Sequence, residues 1–171
     1  MTTTDPTAID IRFDPREQRM QGRAVHGDTP FDVPFISEIA PNLWTGGCAN
    51  GLILPDHFAH VVSLYPWESY RARHDLISSL GVRLYDSADG TDWDAVRALA
   101  AWVNVCRRSG PVLVHCQAGL NRSGLVAGLA LVLDGMAPSD AIGLLRAKRS
   151  RAVLCNPTFE RWLLDQAEAS R

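Results

Sequence analysis

The sequence predicts an α/β fold: a single domain in which a central, mostly parallel sheet is flanked by helices. Short apolar runs of strand length, such as 61–65 and 112–114, alternate with segments in which apolar residues recur at helical spacing. Strands separated by helices need crossover connections, which place the strands parallel and the helices on the faces of the sheet. The chain has 171 residues, the length of one ordinary domain.

Each predicted element is an apolar run or a helical period that ends at turn residues. Predicted strands cover 43–45, an edge strand closed by Gly46 and Gly47, then 61–65, 82–85 and 112–114. Predicted helices cover 68–80, a stretch that starts near 93 and closes at 109–110, then 125–133 and 138–148. A last helix is capped by Asn156 and Pro157.

Residues 1–33 are polar, and prolines at positions 6, 15 and 30 interrupt any helix. No helical or strand period is sustained in this segment. We therefore expect a loosely ordered N-terminal arm at 1–33, followed by the folded domain at 34–171.

Composition and charge exclude several classes of protein. Hydrophobic residues make up 46% and charged residues 21%, which argues against disorder or a fibrous repeat. A net charge of −2 produces no field that would gather nucleic acid or an anionic membrane. No apolar run approaches the ~20 residues of a membrane span, and the first twenty residues lack the apolar segment of a secretory signal. We expect a cytoplasmic protein.

Two features of composition bear on origin and on metals. Lys148 is the single lysine among seventeen basic residues, a bias that suggests a GC-rich genome, as in a bacterium or its phage. The four cysteines form no Cys-x-x-Cys pair and no cluster with histidines at zinc spacing. We therefore expect no structural metal.

The segment 116–122 joins a buried strand to a helix, beginning with Cys116 and ending with Arg122. Backbone amides that turn inward in such a loop bind anions, and the first turn of the helix adds its unpaired amides. The same field stabilises a sulfur anion, so we expect Cys116 to be a nucleophile at neutral pH. The planar fork of Arg122 can bind two phosphoryl oxygens. Ser123 can donate a hydrogen bond to the departing sulfur, and Gly119 supplies the backbone conformation that the curl requires.

The sequence His-Cys-Gln-Ala-Gly-Leu-Asn-Arg-Ser-Gly at 115–124 resembles the Cys-x5-Arg-Ser signature of the cysteine-dependent protein phosphatases, most closely the dual-specificity class. Pro-Asn-Leu-Trp-Thr-Gly-Gly at 41–47 resembles the early strand and turn of that class, and Asn156-x-x-Phe159 its last helix. The resemblance covers about 36–165 and identifies 34–171 as the phosphatase domain.

The resemblance implies a phosphomonoester hydrolase that acts through a phosphocysteine intermediate, without metal or cofactor, on phosphorylated proteins. It also implies that His115 orients the loop through hydrogen bonds. The phosphate would be bound by the residues of the loop: Gln117, Ala118, Gly119, Leu120, Asn121 and Arg122.

The reaction of this family also needs an acid that protonates the leaving oxygen and then acts as a base toward water. The family normally takes it from an Asp about thirty residues before the cysteine. Asp86 ends an apolar-x-apolar-x-Asp pattern thirty positions before Cys116, and we favour it. Asp89 is the rival, because a short gap would place it equally well.

Two alternatives stay open. The segment Gly-Leu-Asn-Arg-Ser-Gly is close to the Gly-x-Asn-Arg-Thr-Gly of cysteine-dependent RNA 5′-phosphatases, although the net charge of −2 argues against binding of nucleic acid. The second alternative is a catalytically silent module, which binds phosphorylated residues without hydrolysing them. Silent relatives lose the cysteine, the acid or the arginine, and this sequence keeps all three.

Two further groups of residues have more than one possible role. Trp67 and Tyr70 either pack in the interior or line the mouth of the pocket after Pro66. A basic run is either a solvated helix end or a surface that recruits acidic substrates; it consists of Arg146, Lys148, Arg149 and Arg151.

Overall fold

A computed structural model describes residues 10–12, 21–26, 29–48, 51–87 and 89–166 of the chain. Three strands lie in the segment for which the sequence sustains no period: β1 (Asp10–Arg12), β2 (Gln21–His26) and β3 (Thr29–Pro34). They pair antiparallel in the order β1-β2-β3. The strand β3 holds two prolines at an edge of this sheet, where a missing N–H is tolerated. The boundary of the phosphatase domain at residue 34 stays a prediction.

The main sheet has five strands in the order β4-β5-β8-β6-β7. Their bounds are β4 (Ile36–Ala40), β5 (Leu43–Gly46), β6 (His60–Ser63), β7 (Ser78–Gly81) and β8 (Val112–His115). Neighbouring strands run parallel except β4, which pairs antiparallel with β5. The predicted α/β class with a mostly parallel sheet is therefore confirmed.

The described residues form four helices: α1 (Trp93–Cys106), α2 (Arg122–Leu133), α3 (Pro138–Lys148) and α4 (Pro157–Asp165). The helix α1 begins where Asp92 accepts hydrogen bonds from the amides of Asp94 and Ala95 at 3.1 and 3.0 Å. All residues of α2 from Arg122 to Leu131 are buried, as expected for a helix that is apolar all round and packs against the other three helices and the sheet. None of the helices in the described ranges is long and apolar enough to cross a membrane.

Three predicted elements are wrong. No helix forms at 68–80, because backbone bonds join Arg71 to Leu52 and Leu54, which holds this stretch extended. The strand predicted at 82–85 lies four residues earlier, in β7, where it pairs with β6. The strand predicted at the edge, β5, is an inner strand, since β4 covers it.

The register of the sheet determines where the loop of residues 116–122 lies. His115, the last residue of β8, pairs with Gly46 at the end of β5 and with Ser63 at the end of β6. All four residues of β8 are buried, as is typical of a central parallel strand. The loop therefore begins at the carboxyl edge of the sheet, where ligands of such folds bind.

Candidate active site

The loop of residues 116–122 wraps around the sulfur of Cys116. The amide of Cys116 donates to the carbonyl of Gly46 at 3.1 Å, which fixes the start of the loop against β5. The amide of Gly119 then turns inward and donates to Cys116 Sγ at 3.2 Å. The hydroxyl of Ser123, in the first turn of α2, lies 3.5 Å from the same sulfur. Two hydrogen-bonding groups thus lie within reach of a buried sulfur just before the N-terminus of α2.

Gly119 has a backbone conformation and a contact that exclude a side chain. Its φ is +72°, in the left-handed region that glycine adopts at little cost. A Cβ atom on Gly119 would lie 2.2 Å from the carbonyl carbon of Gly46 and 2.4 Å from the amide of Gly47. The loop therefore packs directly on the end of β5, and the glycine expected from the curl of the loop is required by both effects.

Arg122 begins α2 and is buried beside the loop. Its guanidinium lies over the ring of Tyr65, 5.0 Å from the centroid, and its Nη1 donates to the carbonyl of Leu84 at 3.4 Å. These contacts hold the planar fork in one orientation.

Asp86 is 4% exposed and lies against the loop. Its Oδ2 accepts a hydrogen bond from the side-chain amide of Asn121 at 3.1 Å, and its Oδ1 accepts one from Asn156 at 2.8 Å. An amide donor on each oxygen fixes the orientation of this carboxyl group beside the loop. The rival, Asp89, lies in an exposed turn. The structure thus brings Asp86, and not Asp89, into contact with the residues of the loop.

His115 is buried and electrically neutral at physiological pH. Burial lowers the pKa of His115 to about 4, although its hydrogen bond to the backbone of Cys116 acts in the opposite direction. Its Nδ1 lies 3.4 Å from the carbonyl of Cys116, and its ring is nearly perpendicular to that of Tyr70, with the centroids 5.1 Å apart. This geometry fits the orienting role expected of His115.

The other loop residues make packing and hydrogen-bond contacts with the rest of the fold, which the motif does not indicate. The carbonyl of Gln117 accepts from the amide of Cys48 at 2.9 Å, and Ala118 and Leu120 are buried in the core. The side chain of Asn121 connects Asp86 to the backbone of Asn156, whose amide donates to Asn121 Oδ1 at 3.0 Å.

The aromatic residues after β6 divide between packing and surface. The Tyr70 hydroxyl donates to the carbonyl of Gly47, and burial raises the pKa of Tyr70 above its ordinary value. Tyr70, which is half-buried, therefore packs beside the ends of β5 and β8. Trp67 is 54% exposed. Its ring is tilted by 54° against that of Tyr65, with the centroids 4.9 Å apart, and the guanidinium of Arg83 lies over it at 4.7 Å.

The four residues of the basic run have different surroundings. Lys148 and Arg151 are exposed, and Arg146 forms an ion pair with Glu160 at 2.9 Å. Arg149, by contrast, is buried and donates to backbone carbonyls of the loop. Sequence reasoning missed this role, because nothing in the run distinguishes Arg149 from its neighbours.

Comparisons with known proteins agree with this geometry. The family model for the catalytic domain of dual specificity phosphatases matches residues 58–169. The chain is 25% identical over 141 residues to a dual specificity protein phosphatase of vaccinia virus (strain Copenhagen), a match covering 77% of this chain and 82% of that protein. It is 38% identical over 53 residues to a probable protein tyrosine phosphatase type IVA B of Dictyostelium discoideum, covering 31% of this chain and 32% of that protein.

The structure of human DUSP28 has the same fold, with a TM-score of 0.68 and 21% identity over 80% of this chain and 95% of that chain. The expected resemblance and the expected class of enzyme are confirmed by the family match, while the RNA 5′-phosphatase and the silent binding module are not favoured. The chain therefore belongs to the dual-specificity phosphatase family, a family of cysteine-dependent protein phosphatases.

Proposed function

We propose that this chain hydrolyses phosphotyrosine, and also phosphoserine and phosphothreonine, on proteins through a phosphocysteine intermediate. The observation that carries the proposal is the convergence of two groups on one sulfur. The Gly119 amide lies 3.2 Å and the Ser123 hydroxyl 3.5 Å from Cys116 Sγ, which suits a thiolate that attacks and later departs.

In the first step the sulfur of Cys116 attacks phosphorus. The S–P bond forms as the P–O bond to the leaving group breaks, and Asp86 gives its proton to the leaving oxygen. The fork of Arg122 and the amides of the loop bind the equatorial oxygens, on which negative charge is spread in the transition state. The contact of Asp86 with Asn121, itself part of the loop, supports its assignment as the acid.

In the second step Asp86, now ionised, takes a proton from a water molecule whose oxygen attacks phosphorus. The P–S bond breaks, the Ser123 hydroxyl donates to the departing sulfur, and inorganic phosphate leaves. The two amide donors on Asp86 suit this step, since they stabilise the carboxylate that must act as the base.

An aromatic strip beside Arg122 supports a preference for phosphotyrosine. It consists of Tyr65, whose ring lies against the Arg122 guanidinium, with Trp67 and Tyr85 at 54% and 42% exposure. Arg83 lies between the two outer rings, 4.7 Å from Trp67 and 4.6 Å from Tyr85. A substrate phenyl ring can pack on such a wall, whereas the short side chains of phosphoserine and phosphothreonine gain less from it.

The test is the rate of phosphate release from a phosphotyrosyl peptide, a phosphothreonyl peptide and triphosphorylated RNA. We expect the highest kcat/KM on the phosphotyrosyl peptide, inhibition by vanadate, and no effect of a chelator. Cys116→Ser should abolish turnover, while Cys106→Ser, a buried cysteine at the end of α1, should leave the rate per folded molecule unchanged. A strong preference for RNA, or no release from any substrate, would overturn the proposal.

The substrates we propose are cytoplasmic phosphoproteins of a bacterial or phage-infected cell. The reaction requires Cys116 in its reduced form, which a reducing cytoplasm maintains. Fractionation of cells that express the tagged chain, followed by immunoblotting, measures the compartment. Recovery outside the cytoplasm would contradict this part of the proposal.

A further inference from the structure

Arg149 is a buried cation beneath the loop of residues 116–122, to which it does not belong. It follows the last residue of α3, caps that helix, and is 7% exposed. Its Nε donates to the carbonyl of Gly119, and its Nη2 donates to the carbonyl of Ala118 at 3.0 Å. One guanidinium therefore binds two consecutive peptide groups of the loop.

The same guanidinium also fixes the loop to the edge of the sheet. Nη1 donates to the hydroxyl of Ser37 in β4 at 3.2 Å, and Nη2 lies 3.4 Å from the carbonyl of Phe35. A Cβ atom on Gly119 would lie 2.5 Å from Arg149 Nη2, so the guanidinium packs against the loop backbone without spare room. The loop, the end of α3 and the start of β4 thus meet at this one side chain.

Peptide geometry links these bonds to the reacting sulfur. In a trans peptide the C=O and the N–H point in opposite directions, and the structure contains no cis peptide among the described residues. The carbonyl of Ala118 shares its peptide with the amide of Gly119, which donates to Cys116 Sγ at 3.2 Å. Arg149 therefore holds the carbonyl side of the peptide whose amide side faces the sulfur.

We propose that Arg149 is a positioning residue of the phosphatase reaction: it holds the peptides that follow Ala118 and Gly119 with their carbonyls outward and their amides inward, toward the Cys116 sulfur and the phosphoryl group. The inference rests on the proposed role of Cys116 as the nucleophile. It assigns the loop geometry to a residue outside the motif, about thirty positions away in sequence.

Electrostatics act in the same direction as the geometry. Burial lowers the pKa of Arg149 to about 10, and the charge of Cys116 opposes that shift. Arg149 therefore stays cationic at neutral pH, and the attraction between the two groups is mutual. Removing the cation should destabilise the thiolate.

The other ionisable groups around the loop would not obscure this effect between pH 5 and 9. Burial raises the pKa of the Cys48 thiol to about 12 and lowers that of His115 to about 4. Tyr70, whose pKa burial also raises, stays neutral. Asp86 and Arg122 are not substituted in any of the variants, so their contribution is the same in each.

The experiment compares Arg149→Met, Arg149→Lys and the control Lys148→Met, which removes an exposed cation one residue away. The substrate-independent readout is the pH dependence of Cys116 alkylation by iodoacetamide, followed by mass spectrometry. The second readout is kcat and KM on a phosphotyrosyl peptide, with the melting temperature as a check of folding.

For Arg149→Met we expect the alkylation midpoint to move to higher pH and kcat to fall roughly tenfold to hundredfold, somewhat less than loss of a direct donor to a transition-state oxyanion. Arg149→Lys restores the charge without the fork, so its midpoint should return toward that of the wild type while kcat stays low. Lys148→Met should match the wild type in both readouts.

A purely structural role would lower the melting temperature of Arg149→Met and leave its alkylation midpoint and kcat per folded molecule unchanged, which would overturn the proposal. If Arg149→Met does not fold, Arg149→Lys decides: a kcat within twofold of the wild type would show that the fork is not needed. If no substrate is hydrolysed, the proposed function fails, whereas the alkylation profile still reports on Arg149.

Discussion

The side-chain amide of Asn156 donates to Asp86 Oδ1 at 2.8 Å, while the side-chain oxygen of Asn156 accepts from the amide of Thr158 at 3.0 Å. One residue therefore caps the helix α4 and holds the carboxylate that we assign as the acid. The two duties use different atoms of the same side chain, so substitutions can separate them.

Asn156→Ser should separate the two duties. Serine caps helices well but is too short to replace the amide that donates to Asp86. Loss of that donor destabilises the ionised carboxylate, so the limb of the pH profile on which activity falls as the acid deprotonates should move to higher pH. The measurement is kcat/KM against pH on a phosphotyrosyl peptide.

The control for this prediction is Asn156→Ala, which loses both duties. It should move the limb as far as Asn156→Ser does, and in addition lower the free energy of unfolding by about 0.5 to 2 kcal/mol through loss of the cap. A pH limb that stays in place in both variants would show that this hydrogen bond does not tune Asp86.

Asp86→Asn should reveal the acid through the leaving group. Protonation matters most for a poor leaving group such as the hydroxyl of serine, and little for an activated aryl phosphate. We therefore expect Asp86→Asn to lower the rate on alkyl phosphates by about 10² to 10⁴ and to affect the activated ester far less. The readout is the ratio of the two rates.

Asp89→Asn is the matched control, because this carboxylate lies three residues further along, in an exposed turn. It should leave the ratio unchanged. The assignment would have to be reversed if Asp89→Asn alone showed the dependence on the leaving group.

The parts of this site that sequence reasoning predicts are local, and the parts it misses are distant in the chain. The strand β8, the loop and the start of α2 follow one another within 112–133, and their apolar run, cysteine and arginine are visible in order. The supports of the loop come from elsewhere: Arg149 lies 30 positions from Gly119 and 112 positions from Ser37. No local pattern records such contacts.

The missing helix at 68–80 has the same cause. Tyr70 and Leu76 pack on a cluster that includes Leu54 and Phe58, and the backbone bonds of Arg71 go to Leu52 and Leu54. Tertiary contacts of this kind override a weak helical period. The expectation for Asp86 came instead from its position thirty residues before the cysteine, and its role as the acid stays a prediction. Its amide partners Asn121 and Asn156 come from contacts between distant parts of the chain, which the sequence did not indicate.

Gly119→Ala should prevent the loop of residues 116–122 from packing on the end of β5 in its present conformation. The new Cβ atom would lie 2.2 Å from the Gly46 carbonyl carbon, at a φ of +72° that alanine adopts only at a cost. We expect loss of most of the phosphatase activity together with a lower melting temperature, measured on the purified variant.

Gly143→Ala is the control for this substitution, because Gly143 lies within α3 with open space around it. Alanine there should stabilise the protein by roughly 0.5 to 1 kcal/mol and leave the activity intact. An active, stable Gly119→Ala variant would contradict the packing of the loop on β5.

His115 should make the stability of the fold depend on pH in a mildly acidic range. Burial lowers its folded pKa to about 4, from about 6.5 in the unfolded chain, so protons bind the unfolded state more tightly. The stabilisation is therefore complete above pH 6.5 and is lost as the pH falls toward 4, by on the order of 3 kcal/mol in all.

His115→Asn retains a donor near the position of Nδ1 but does not titrate, so the free energy of unfolding in urea should depend less on pH between 4 and 7.5. The exposed His57→Asn serves as the control and should follow the wild type. If the difference in the free energy of unfolding between the wild type and His115→Asn were the same at every pH, His115 would not be the group responsible.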